Sequence, residues 1–143
     1  SGIWKFDADP SESKEGVLID TIGPHIAADV EGLTLYYASE TDGYLIASSQ
    51  GDDTYTIYSR GDINNFIGRF SVVDSETIDG TSSTDGIDVC NMGLGGKLSD
   101  GIFIVQDDVN DVGNQNFKII SWGEIASIFN PPLEINSGYN LRN

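Results

Sequence analysis

Asp29-Val30-Glu31-Gly32-Leu33, Gly43-Tyr44-Leu45-Ile46-Ala47-Ser48, Thr54-Tyr55-Thr56-Ile57-Tyr58-Ser59 and Arg69-Phe70-Ser71-Val72-Val73-Asp74 follow one another in the middle of the chain. The runs are short and rich in β-branched and aromatic residues, and turn formers such as Thr41-Asp42-Gly43 and Gly51-Asp52-Asp53 separate them, which is the pattern of strands joined by tight turns. The order then returns. Ser83-Thr84-Asp85-Gly86-Ile87 opens a second series, followed by Gly101-Ile102-Phe103-Ile104-Val105-Gln106 and Asn116-Phe117-Lys118-Ile119-Ile120-Ser121. Gly32 and Gly86 are 54 positions apart, Gly43 and Gly101 58, and Tyr55 and Phe117 62. An earlier unit survives as its end, with Ile3 to Phe6 matching Thr56 to Ser59 and Val17 to Asp20 matching Ser71 to Asp74.

A repeat of roughly 50 residues with three or four strands has the size of a propeller blade, and propellers need about four to eight blades to close. Two blades and a remnant cannot close, and alone they would leave open apolar faces and unpaired edges. The chain therefore reads as all-β, the C-terminal part of one larger propeller domain; a two-sheet sandwich complete in itself is the alternative. The expected division is 1–28 as the end of a preceding blade, 29–78 as one blade, 79–130 as the next blade with a terminal helix, and 131–143 as a tail, loosely held from Asn136. The helix is expected over Gly123–Phe129, stopped by Pro131-Pro132. The fourth strand of the complete blade is expected over Phe66–Val73.

Composition narrows the function. The 143 residues carry 23 Asp+Glu against 7 Lys+Arg, a net charge of −16. A nucleic-acid backbone would be repelled, because affinity for it comes from Lys and Arg displacing counterions. No stretch approaches the roughly 18 apolar residues of a membrane helix, and no basic-then-apolar segment opens the chain. Cys90 is the only cysteine, so neither an internal disulfide nor a thiolate zinc site is available, and any metal is expected to bind oxygen.

Acidic residues open both units. In Asp29-Val30-Glu31 strand alternation places both carboxylates on one face, a spacing able to grip hard cations. The second unit offers Asp79-Gly80-Thr81 and then Asp85, which falls where Glu31 does in the repeat. First strands line a propeller's channel, so Asp29, Glu31, Asp79 and Asp85 would meet at its mouth. Carboxylates crowded in that way repel unless a cation lies among them; the competing reading is solvated turn residues. A further oxygen-rich run, Gln106 to Asp111 with Asn114-Gln115-Asn116, has calcium-ligand chemistry without EF-hand spacing and reads equally as a polar connection. No phosphate loop or Ser-His-Asp triad is present. His25, Trp4 and Trp122 read as packing residues, and Cys90 as a small buried hydrophobe.

Asp29 to Ala38, Gly43 to Gly51, Asp79 to Val89 and Asn114-Gln115-Asn116-Phe117-Lys118 resemble, in that order, the C-terminal part of the β-propeller phytases, with likeness from about Ile3 to Ala126. The resemblance implies a six-bladed propeller of antiparallel four-stranded blades, secreted or periplasmic. It implies calcium-dependent release of phosphate from phytate, or from another calcium-complexed phosphate ester, by metal-activated water. It assigns Asp29, Glu31, Asp79 and Asp85 to the catalytic calcium cluster, with Glu31 and Asp85 as catalytic residues, and Asp107 to a structural calcium. Substrate-binding residues are not identified. Ser83 stands where the family usually has Asp. The family's N-terminal blades, with most of its phosphate-binding Lys and Arg, are the partner this chain would need, and alone it should be inactive. A calcium-binding segment without catalysis is the alternative.

Overall fold

The computed structural model describes residues 2–140. Nine strands form three antiparallel sheets. The first pairs β1 (Gly2–Lys5) with β2 (Val17–Thr21). The second is a four-strand meander of β3 (Val30–Tyr37), β4 (Gly43–Ser49), β5 (Thr54–Ser59) and β6 (Phe66–Phe70). The third is β7 (Ile87–Cys90), β8 (Ile102–Asp107) and β9 (Asn116–Ser121), after which α1 (Trp122–Ser127) begins. These are blades of a propeller, and β3 lies beside β7 as first strands of adjacent blades do. No helix among the described residues is long and apolar enough to cross a membrane.

The repeat is visible in the hydrogen-bond register. Tyr44 pairs with Ser59 and Ile102 with Ser121, which are the same pair displaced by 58 on one strand and 62 on the other. Leu33 faces Ala47 as Ile87 faces Val105. The remnant repeats too: β1–β2 and β5–β6 each carry one extra residue on the outer strand, Ile19 and Ile67, inserted between otherwise regular pairs. That bulge makes β2 the counterpart of β6, whereas the sequence match set it against Ser71–Asp74.

Because period-2 alternation sends successive side chains to opposite faces, the middle sheet is buried on both sides. Leu45, Ala47 and Tyr58 pack with Ile3 and Ile26 toward the first sheet. Ile46, Tyr55, Ile57 and Phe70 pack with Phe103, Val105, Trp122 and Ile125 toward the third. The outward faces of the flanking sheets stay open: Trp4 and Phe6 are 53% and 60% exposed at one end, Phe117 and Ile119 71% and 55% at the other.

Several expectations are corrected. β6 stops at Phe70 because Val72 turns away, its carbonyl accepting from Thr81 N (3.0 Å). The last sheet has the three strands and terminal helix read in the sequence, not the four strands the resemblance implies: after β9 the chain enters α1, and Trp122 stacks on Tyr36 with centroids 4.3 Å apart. Trp4 is exposed on the open face, and Cys90 is exposed as well. Tail residue Asn136 is anchored, with its N donating to Tyr36 Oη (2.9 Å) and its Nδ2 to the Ala38 carbonyl (2.8 Å). Residues 141–143 of the expected tail lie outside the described residues.

Candidate functional site

The acidic residues singled out by the repeat divide into two groups, one at each side of the loop Asp79–Asp85. The first is exposed and lies where the second and third sheets meet. Val30 is half-buried against the Ile3 cluster, which leaves Asp29 and Glu31 facing solvent on either side of it. A bulge follows, since two residues, Glu31 and Gly32, stand opposite Ser48 between the pairs Val30–Ser49 and Leu33–Ala47. Gly32 is needed there: a Cβ would lie 2.9 Å from Ile87 Cγ1 and 3.3 Å from the Asp85 carbonyl oxygen, so the two first strands touch through a position without a side chain. Asp85 is exposed beside them.

The 3-10 turn Gln50–Asp52 at the end of β4 links the Asp29 main chain to the Asp85 carboxylate. Gln50 N donates to the Asp29 carbonyl (3.0 Å), and Gln50 Nε2 donates to Asp85 Oδ1 (2.7 Å). Gly51 is pressed against the other strand so closely that a Cβ would lie 1.5 Å from the Ala28 carbonyl oxygen. From the same turn region Ser48 Oγ donates to the Thr84 carbonyl (2.9 Å), and Asp53 Oδ1 accepts from Ser83 N (2.7 Å). Ser83 sits at φ 48°, in the left-handed region, and the hydrogen bond to Asp53 accompanies that conformation. On the far side Gln106 Oε1 accepts from Asp85 N (2.8 Å).

The second group is internal. Asp107 is fully buried at the end of β8, and Lys118, 8% exposed, points inward from β9 to meet it at 2.8 Å. The Lys118 ammonium also reaches Asp79 Oδ1 (2.6 Å), Asn110 Oδ1 (3.2 Å) and the carbonyls of Asp79 and Gly80 (3.2 and 3.1 Å), a shell made entirely of oxygen. Burial works against the charge on Lys118, yet the hydrogen bonds and charges of Asp107 and Asp79 outweigh it and hold its pKa above the ordinary lysine value. Asp79 is shifted down, chiefly by the hydrogen bond from Lys118 and then by the one from Asp111 N. Asp107 additionally accepts from Ser82 N (2.9 Å), so it anchors the start of the 79–85 loop.

Asp29, Glu31 and Asp85 thus lie exposed along the same sheet junction, while Asp79 and Asp107 gather around Lys118. Among the described residues no three His, Cys, Asp or Glu side chains converge as a group able to hold a metal. The donors at the junction are hard oxygens, which suits a hard cation. Calcium takes about six to eight of them, more than the junction carboxylates provide. Sequence reasoning did not mark Gln50 or Lys118. Lys118 was legible only as a charge inside an apolar strand, and Gln50 only as the residue before Gly51 in a turn. His25, read as a packing residue, does pack: its ring stacks on Phe66 with centroids 3.8 Å apart, and Nδ1 lies 2.8 Å from Asp20 Oδ2.

The family model described as Phytase matches residues 1–143 of this sequence. The chain belongs to the phytase family. It is 48% identical over 145 residues to the 3-phytase of Bacillus subtilis (strain 168), an alignment that covers 98% of this chain and 38% of the relative. The chain therefore spans well under half the length of the curated phytase it matches. Family membership gives the junction acids a context: Glu31 lies on the first strand of one blade, and Asp29 and Asp85 lie just before the first strands of adjacent blades.

Proposed function

We propose that this chain forms the C-terminal blades of a calcium-dependent phytase of six blades that hydrolyses phosphate monoesters of phytate, and that it requires N-terminal blades to do so. The observation that carries the reading is the placement of Asp29, Glu31 and Asp85 where two neighbouring sheets meet, with Gln50 bonded to the Asp29 carbonyl and the Asp85 carboxylate, in a chain of the phytase family. Asp29 and Glu31 would hold calcium, with Asp79 at the loop's start contributing once Lys118 is accounted for. Asp85, held at both its main chain and side chain, would coordinate or orient the attacking water. Asp107 would bind a structural calcium only with Lys118 displaced from it. Bound calcium supplies positive charge against the phosphate oxygens and makes water a better nucleophile. On a chain at −16 a polyanion meets net repulsion, so cations at this junction would convert a repelling surface into a binding one. The remaining oxygen ligands and the Lys and Arg that grip phosphate would come from the other blades. Secretion or export to the periplasm accords with a calcium requirement, since extracellular calcium sites work at roughly 10⁻⁴–10⁻³ M.

The test is phosphate release from calcium phytate by the complete protein carrying Asp29→Ala together with Glu31→Ala. Release should fall to background while the far-ultraviolet circular dichroism and melting midpoint stay as in the parent. Undiminished turnover removes the assignment. Calcium-dependent stabilisation with no release from the unsubstituted complete protein would instead leave a binding module.

A further inference from the structure

The geometry points to Gln50 as a positioning residue that sets the distance between the acid groups of two neighbouring blades, an inference that rests on the reading of Asp29, Glu31 and Asp85 as cation ligands. Gln50 is the residue whose described hydrogen bonds reach both the Asp29 main chain and the Asp85 carboxylate. Its main-chain N holds the Asp29 carbonyl (3.0 Å), and its side-chain amide holds Asp85 Oδ1 (2.7 Å) and approaches the Ser83 carbonyl (3.4 Å). The turn that carries it cannot drift, because Gly51 lies against the Ala28 carbonyl and Ser48 is fixed to the Thr84 carbonyl. Thr34 Oγ1 donating to Asp88 Oδ1, Ser48 Oγ donating to the Thr84 carbonyl and Ser83 N donating to Asp53 Oδ1 also tie the two sheets, but among the described contacts only Gln50 reaches the Asp85 carboxylate.

An amide suits this task for a specific reason. Nε2 donates and carries no charge, so it fixes one oxygen of Asp85 without neutralising the carboxylate, and Asp85 Oδ2 remains free for a cation or a water. A lysine at position 50 would compete with the cation. A glutamate would present oxygen to oxygen and push Asp85 away, since like charges at hydrogen-bond distance repel strongly. Asparagine is one methylene shorter and would fall short of Asp85 from the same turn.

Gln50→Ala and Gln50→Glu, made in the complete protein, test the assignment. Both should raise the calcium concentration for half-maximal phosphate release about tenfold, the scale of one lost hydrogen bond to a charged group. The melting midpoint of Gln50→Ala measured in chelator should be unchanged, because the main-chain bond to Asp29 survives. Gln50→Glu separates positioning from ligation: a calcium requirement unchanged or lowered by that substitution overturns the proposal, because position 50 would then fill space or supply a ligand oxygen of its own. A second readout needs no metal and no turnover. Amide hydrogen exchange across residues 83–86 in calcium-free protein should speed up in both variants, and equal exchange in parent and variants overturns the proposal. If the parent protein releases phosphate in excess chelator, the calcium reading fails, and the exchange measurement still decides the role of Gln50.

Discussion

Lys118 is the residue whose chemistry departs furthest from its place in the chain. In Phe117-Lys118-Ile119-Ile120 a period-2 reading puts the apolar residues inward and the lysine out, yet the structure has Lys118 and Ile120 inside and Phe117 and Ile119 exposed. The inversion is stable because Asp107, Asp79 and Asn110 surround the ammonium, so its desolvation is met by hydrogen bonds and opposite charge. Lys118→Met would leave Asp107 buried without its cation, and is expected to cost about 3 kcal/mol in denaturant unfolding. The pH dependence follows from the signs of the shifts. Asp79 is lowered, so its contribution is present above the unfolded value of 3.8 and is lost as pH falls through the lower folded value. Lys118 is raised, so its contribution is intact below 10.5 and is lost as pH rises through the higher folded value. Melting midpoints across the acid and alkaline ends should therefore drop less steeply in Lys118→Met than in the parent.

At the scale of elements, α1 decides how the last sheet ends. The helix is only six residues long, far too short to hold itself in water, and it exists because Trp122, Ile125 and Ala126 are buried in the core between the sheets. Trp122 stacks on Tyr36, and its Nε1 donates to the Glu134 carbonyl (3.1 Å), which binds the tail to the same core. Trp122→Ala is expected to cost about 3–5 kcal/mol, read from equilibrium unfolding, and to loosen the anchored residues around Asn136. The helix itself could be read in Gly123–Phe129, but not where it would start, since nothing local in Ser121-Trp122 distinguishes a strand end from a helix start. The turn at Gln50 is equally tertiary. Gly51→Ala should destabilise by about 1–3 kcal/mol, as forced overpacking does. It should also weaken calcium-dependent phosphate release of the complete protein, because the clash with Ala28 falls between the two acid groups.

For the whole molecule, the open faces are the main physical consequence of having three sheets in a row. Trp4, Phe6, Val17 and Leu18 at one end and Phe117 and Ile119 at the other are the kind of contiguous apolar surface that in a closed propeller lies between blades. Net charge of −16 keeps copies apart at low salt, and screening by about 0.15 M salt, where the Debye length is about 8 Å, removes much of that protection. Sedimentation should accordingly show the chain associating as salt rises, with binding of an apolar dye. Joining it to N-terminal blades should suppress both. A salt-independent monomer that binds no dye would mean that the faces are satisfied within the chain itself.

Strand order, the repeat with its offsets of 54, 58 and 62, the all-β class and the oxygen-only chemistry were determined by the sequence alone. Each depends on local periodicity or on which residue types are present, and both can be read without knowing what lies across a sheet. The tertiary structure decided which acids meet. Asp79 and Asp107 went to Lys118, and Asp29 and Asp85 to Gln50, because those partners lie 21 to 39 positions away: Gln50 meets Asp29 along the β3–β4 pair and Asp85 across to the next sheet, and Lys118 meets Asp79 within the last blade. Lys118 and Asp107 are the exception, 11 positions apart on paired strands. Which face of β9 is inside was likewise a matter of the neighbouring sheet, since alternation defines two faces and only packing chooses between them.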